Sequence, residues 1–164
     1  MRLLIIRHAT AVPSGTPGVA EDARPLTPRG RARFRVAARG LARIAHRPDV
    51  LLTSPLPRAH ATAEIAARAF RRLEPVVEPA LAHGSVAEVD AALARQPADA
   101  LVAIVGHEPV VSGLLARLLG AGDGGRLPFK KGGAALVDLP DGAGSSGRLI
   151  WFLKPRILRT LAGS

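Results

Sequence analysis

Apolar residues come along this chain in two rhythms. Three short runs, residues 3–6, 50–53 and 101–105, are too brief for helices and read as strands buried on both faces. Between and after them the spacing lengthens to the three-and-four pattern of helices. The first helix is expected to begin at Thr27 as N-cap, with Pro28 at the first helical position. Along it Phe34, Ala37, Ala38, Leu41 and Ile44 form one stripe, and Arg31, Arg35, Arg39, Arg43 and Arg47 recur every four residues on the other side. Further helices are expected over 57–70, 85–95 and 109–119, the last stopped by the glycine-rich turn at 120–125. Near the C-terminus, 134–139 and 149–153 flank a Gly/Ser-rich turn and predict a hairpin, while 14–23, rich in Gly and Pro, predicts a loop. Strands alternating with helices predict a layered α/β domain with a largely parallel sheet.

Length and composition narrow this picture. At 164 residues the chain fits a single domain, expected to span 1–164. Hydrophobic residues make up 48% and aromatics 3%, so the core must be built from Ala, Leu, Val and Ile. No run approaches a membrane span, and the opening apolar run ends at Arg7, too short for a signal peptide. The absence of cysteine excludes a disulfide framework, a thiolate metal site and a thiol nucleophile, and the cytoplasm is the default compartment.

The net charge of +10, carried mostly by arginine, raises nucleic acid as a partner. No aromatic residues interleave with the arginines to stack bases, so nucleic acid fits poorly. The basic face of the Arg31–Arg47 stretch reads either as a solvated surface or as a docking face for an acidic partner.

Unusual polar groups follow each buried strand. After the first come Arg7 and His8; after the second Thr53, Ser54 and then Arg58; after the third Gly106, His107 and Glu108. Ligands of open α/β sheets gather at the carboxyl ends of the strands, so these loops are expected to converge on one pocket. Two arginines and two histidines there make a cationic site suited to a phosphoryl group. In the stretch Phe129-Lys130-Lys131-Gly132-Gly133 the lysines either reach an anionic substrate or belong to a plain solvated loop. The glycines at 120–125 follow a helix rather than a strand, which argues for a turn and against a nucleotide loop. His46 and His83 lack partners at ligand spacing, and arginines beside His8 would repel a cation, so neither a metal nor another cofactor is expected.

Arg7-His8-Ala9, Ser54-Pro55-Leu56-Pro57-Arg58-Ala59 and Gly106-His107, with Arg24-Pro25-Leu26-Thr27 and Gly30 leading into the first helix, resemble in order and spacing the motifs of the histidine phosphatase superfamily. The short length and the Arg-Pro-Leu-Thr segment are similar to its small phosphohistidine phosphatase branch. The resemblance implies a phosphoglycerate-mutase-like, three-layer α/β/α sandwich. It implies His8 as a nucleophile that becomes phosphohistidine, with Arg7, Arg58 and His107 around the phosphoryl oxygens; from its own loop, Lys130 is expected as a further substrate contact. On this reading His107 binds best when protonated, with Glu108 favouring that form.

Several positions depart from the family pattern. Ala9 replaces the usual glycine and is harmless only if its φ is not positive. Thr10 stands where many members carry an acid, and Ala61 where glutamine is common. Ala80 aligns with the family's general-acid glutamate, leaving Glu78, His83 or Glu108 as candidate acids. An alkoxide leaving group needs such an acid, whereas the imidazole of phosphohistidine departs more readily, so the loss favours a labile phosphoryl donor. The expected activity is dephosphorylation of phosphohistidine in a protein partner. The alternatives are a phosphatase of small phosphorylated metabolites or polyphosphate-like anions, and a non-catalytic phosphate-binding module.

Overall fold

Alternation along the two central strands decides which helices cover which face. The computed structural model describes residues 1–163. In chain order the strands are β1 (Arg2–Arg7), β2 (Val50–Thr53), β3 (Pro75–Val77), β4 (Leu101–Gly106), β5 (Ala134–Asp138) and β6 (Arg148–Leu153). The helices are α1 (Pro28–Ile44), α2 (Pro57–Ala69), α3 (Ala80–His83), α4 (Val86–Ala94), α5 (Val110–Leu119) and α6 (Pro155–Leu161).

The strands form one six-stranded sheet in the order β3-β2-β4-β1-β5-β6. The β3–β2, β2–β4 and β4–β1 pairs are parallel, whereas β5 runs antiparallel to both β1 and β6. Successive side chains of a strand point to opposite faces. Leu3 and Ile5 of β1 and Val102 and Ile104 of β4 accordingly join one core with Val89 and Leu93 of α4 and Leu114, Leu115 and Leu118 of α5. Leu4, Ile6, Ala103 and Val105 join the other, with Phe34 and Leu41 of α1, the alanines of α2, and Leu158 of α6. Two cores on one sheet make the three-layer α/β/α sandwich.

Local signals set the helix ends. Thr27 Oγ1 accepts the Gly30 amide at 2.9 Å, with Pro28 at the first helical position. Ser85 and Glu88 form a reciprocal capping box that starts α4. The sequence pattern did not reveal β3, α3 or α6. β3 is an edge strand whose Val76 and Val77 stay exposed, α3 is a single turn, and α6 buries only Leu158. None of the three offers a periodic apolar face. Among the described residues no helix is long and apolar enough to cross a membrane.

Candidate active site

The sheet order places β4 between β1 and β2, and the parallel register aligns their carboxyl ends: Arg7 lies opposite Gly106, and Thr53 opposite Val105. The ladder continues one residue further on each side. The His8 amide donates to the Gly106 carbonyl at 3.0 Å and the Ser54 amide to the Val105 carbonyl at 3.1 Å. His8 and His107 are thereby brought together, with ring centroids 5.0 Å apart. Arg58, on the first turn of α2, is close enough for its charge to act on both rings.

The His8 ring is held in one tautomer. Its Nδ1 donates to the Ala9 carbonyl at 2.7 Å, which leaves the lone pair on Nε2, and Nε2 has no partner among the described residues. Burial, with smaller repulsions from Arg58, Arg7 and Lys131, lowers the His8 pKa to about 4 despite the opposing Ala9 hydrogen bond. The imidazole is therefore neutral, with its lone pair available, throughout the neutral range. Ala9 is accommodated because its φ is not positive; Arg71 and Arg72 alone among the described non-glycine residues have positive φ. The Ala9 amide is in turn tied to α2 through Thr62 Oγ1 at 3.0 Å, and that hydroxyl donates to the Arg58 carbonyl at 2.7 Å.

The protonated His107 expected from the sequence is corrected by its surroundings. Burial first, then repulsion from His8 and Arg58, lowers its pKa to about 3. The neutral ring still offers a donor. Ser54 Oγ accepts the Leu56 amide at 3.2 Å, so its hydroxyl hydrogen is free to be donated to His107 Nε2, 2.8 Å away. The proton then resides on Nδ1, which is buried and without a partner.

Arg7 and Arg58 each leave a buried Nε–H unsatisfied. Arg7 donates through a terminal nitrogen to the Phe129 carbonyl, and Arg58 to the Glu21 carbonyl at 2.9 Å. Burial lowers both pKa values, yet arginine remains charged in proteins. Three buried donors without acceptors, beside an open imidazole nitrogen, fit an oxyanion of several acceptor oxygens.

Glu108 does not face His107. It accepts the Ser112 hydroxyl and the Phe129 amide, the latter at 2.8 Å, and its charge favours protonated Arg7. Glu108 thus fixes Phe129, whose carbonyl fixes Arg7. Removing the carboxylate in Glu108→Ala is expected to lower kcat/KM about tenfold or more by loosening Arg7, with Glu108→Gln restoring part of it because an amide oxygen can still accept. Steady-state kinetics on an aryl phosphate check this, and a fully active Glu108→Ala would contradict it.

Glu78 is also committed, accepting the Ala80 amide at 3.1 Å and pairing with Arg95 at 2.7 Å. His83, the third candidate acid, is exposed and pairs with Asp22 at 3.0 Å. Asp22 and His83 lie close enough for their charges to act on Arg58 and His107 respectively. Lys130 is exposed at the flank, in a loop whose Gly132 amide donates to both the Arg7 and His8 carbonyls. Gly132 has φ +78°, a conformation that suits glycine and lets the loop turn back onto the end of β1.

Sequence reasoning placed Arg7, His8, Arg58 and His107 at one sheet edge, and the structure assembles them there. It missed Thr62, Ser112 and Asp22. Thr62 stands four residues after Arg58 and Ser112 four after Glu108, spacings that share a helix face and were readable as partners. Asp22 reaches the rim through the folding of its loop, which left no signal.

The two histidines make the fold sensitive to acid. Their folded pKa values of about 4 and about 3 lie below the ordinary 6.5. The unfolded chain therefore binds more protons between these limits. Their contribution to stability is full above about pH 6.5 and is lost as pH falls towards the folded values. Urea midpoints at neutral and mildly acidic pH are expected to fall for the wild type and to fall less for a His8→Asn/His107→Asn double variant.

Comparison with known proteins agrees with this geometry. Residues 3–90 match the model of the histidine phosphatase superfamily (branch 1), and the chain belongs to that superfamily. Within it the similarities point to the SixA phosphohistidine phosphatases. The fold superimposes on a protein histidine phosphatase SixA in complex with tungstate, with a TM-score of 0.82 and 28% identity over 96% of this chain and 99% of that one. An Agrobacterium tumefaciens protein proposed to be SixA gives a TM-score of 0.79 and 27% identity, covering 94% of this chain and 97% of that one. An uncharacterized protein of Picosynechococcus is 36% identical over 147 residues, 87% of each chain.

Proposed function

We propose that this protein removes the phosphoryl group from phosphohistidine in a partner protein, through a covalent phosphohistidine on His8. One observation carries the reading: His8 Nε2 stands open with its tautomer fixed, beside three buried donors that lack acceptors. The SixA relative, a protein histidine phosphatase bound to tungstate, a tetrahedral oxyanion, supports it.

In the first step the His8 Nε2 lone pair attacks phosphorus in line, and the bond from phosphorus to the substrate imidazole breaks, the substrate ring carrying a proton on its other nitrogen so that it leaves as neutral imidazole. Arg7, Arg58 and the His107 Nδ1–H hold the phosphoryl oxygens and stabilise their charge in the transition state. In the second step water attacks phosphorus, His8 leaves as imidazole and inorganic phosphate is released. No carboxylate occupies position 80, and those of Glu78 and Glu108 are engaged elsewhere. A site without a positioned carboxylic acid suits a leaving imidazole better than an alkoxide.

The test is phosphate release from a histidine-phosphorylated carrier protein and from an alkyl phosphate, without added metal. A general acid is worth about 10²–10⁴-fold, and a preference of that order for phosphohistidine is expected. Equal rates on the two would contradict the reading and favour small phosphorylated metabolites as substrates.

A further inference from the structure

A cavity of about 380 Å³ opens beside the His8 loop, between the start of α1, the 130–132 loop and α6. Ala9 and Thr10, the two residues that follow His8, form its inner wall. Six cationic side chains surround it: Arg33, Lys130, Lys131, Lys154, Arg156 and Arg159. No carboxylate is among the lining residues, and none of the six forms an ion pair with a described residue.

That concentration differs from the rest of the surface. Elsewhere arginines pair with acids in Arg24–Glu21, Arg95–Glu78, Arg117–Asp90 and Arg148–Asp138, and the groove lined by Arg35, Arg39 and Arg68 gathers three cations rather than six. Six like charges around one cavity repel one another and draw in anions. The cavity borders the chemistry: Ala9 and Thr10 in its wall directly follow His8, and the amide of Gly132, another lining residue, donates to the His8 carbonyl at 3.0 Å.

We propose that this groove is the docking site for an acidic segment of the phosphorylated protein, lying alongside the phosphohistidine that enters the His8 pocket. The proposal rests on the phosphoprotein reading above and names the chemistry of the partner. The walls distinguish this occupant from other polyanions. Half-buried Pro155 and the aliphatic stems of the lysines and arginines supply apolar surface between the cationic heads, which suits a peptide carrying aliphatic and acidic side chains. Phe34 is only 2% exposed, so no aromatic face is presented for stacking the bases of RNA. The stripe from Arg31 to Arg47 is not the centre of this surface. Of α1's arginines it is Arg33, outside that stripe, that lines the groove.

The test compares wild type with Arg33→Glu/Lys154→Glu/Arg156→Glu and with the milder triple alanine variant. None of these three residues is a hydrogen-bond partner of Arg7, His8, Arg58 or His107. Substrates are a small acidic carrier protein phosphorylated on one exposed histidine, and free phosphohistidine. Charge reversal is expected to lower kcat/KM on the carrier by about tenfold or more, with the alanine variant intermediate and free phosphohistidine unaffected. Added salt should erode the wild type's advantage on the carrier. Unchanged turnover of the carrier would overturn the proposal, and so would tighter binding of an RNA oligonucleotide than of the carrier. If the wild type hydrolyses neither substrate, the functional reading fails separately. Binding of the unphosphorylated carrier by wild type but not by the variants would then keep the docking site, and its absence would end it.

Discussion

Replacing His8 with alanine is expected to remove at least about 10⁴-fold of the phosphatase turnover while leaving phosphate affinity in place. Nothing else in the pocket can substitute for it. His107 presents a hydrogen-bond donor on Nδ1 and has its Nε2 lone pair occupied by Ser54, so it has no free nitrogen with which to attack phosphorus. Arg7 and Arg58 remain charged and are not nucleophiles. All three donors survive in the variant, so inorganic phosphate should still bind, as equilibrium titration can measure. His8→Asn is the companion, retaining a polar side chain without an imidazole. If either variant kept turnover within tenfold of wild type, the reaction would have to proceed by direct attack of water.

A second large effect concerns stability rather than chemistry. Gly40→Ala is expected to destabilise the fold by about 2 kcal/mol or more, although alanine is the better helix former by about 1 kcal/mol. Gly40 lies inside α1 where α6 crosses it. A methyl there would stand 1.8 Å from the Leu158 carbonyl oxygen and 3.2 Å from the Ala162 nitrogen. Both atoms are backbone, so no side-chain rotation relieves the clash and α6 itself must shift. For a domain of this size the loss corresponds to a fall in Tm of roughly 4–8 °C. Calorimetry checks it, and a Tm equal to or above the wild-type value would mean that α6 moves away at little cost. Because α6 carries Arg156 and Arg159, the same variant is also expected to weaken turnover of the acidic carrier.

What could be read in the sequence follows a physical division. The apolar runs of β1, β2 and β4, the Thr27 cap and the polar residues after each strand are local or periodic signals, and they placed His8, Arg7, Arg58 and His107 at one edge of the sheet. Elements without a buried stripe, such as β3 and α6, gave nothing to count. The protonation of His107 was misjudged because burial and a neighbouring cationic group outweigh an adjacent glutamate that faces Ser112 and Phe129. Its tautomer depends on Ser54, which lies in another loop. Likewise Arg33, Lys130 and Lys154 gather into one groove only once α1 and α6 pack together, a juxtaposition that charge patterning along the chain cannot express.

The central claim is a phosphoryl group carried on one nitrogen of one residue. Its most direct test is to mix the protein with isotopically labelled phosphohistidine carrier, quench in alkali within the first turnover and locate the label by phosphorus NMR and peptide mapping. Label is expected on His8, at Nε2, because Nδ1 is held by the Ala9 carbonyl. Label at Nδ1, label on His107, or released phosphate with no labelled protein at any time of quenching would contradict it.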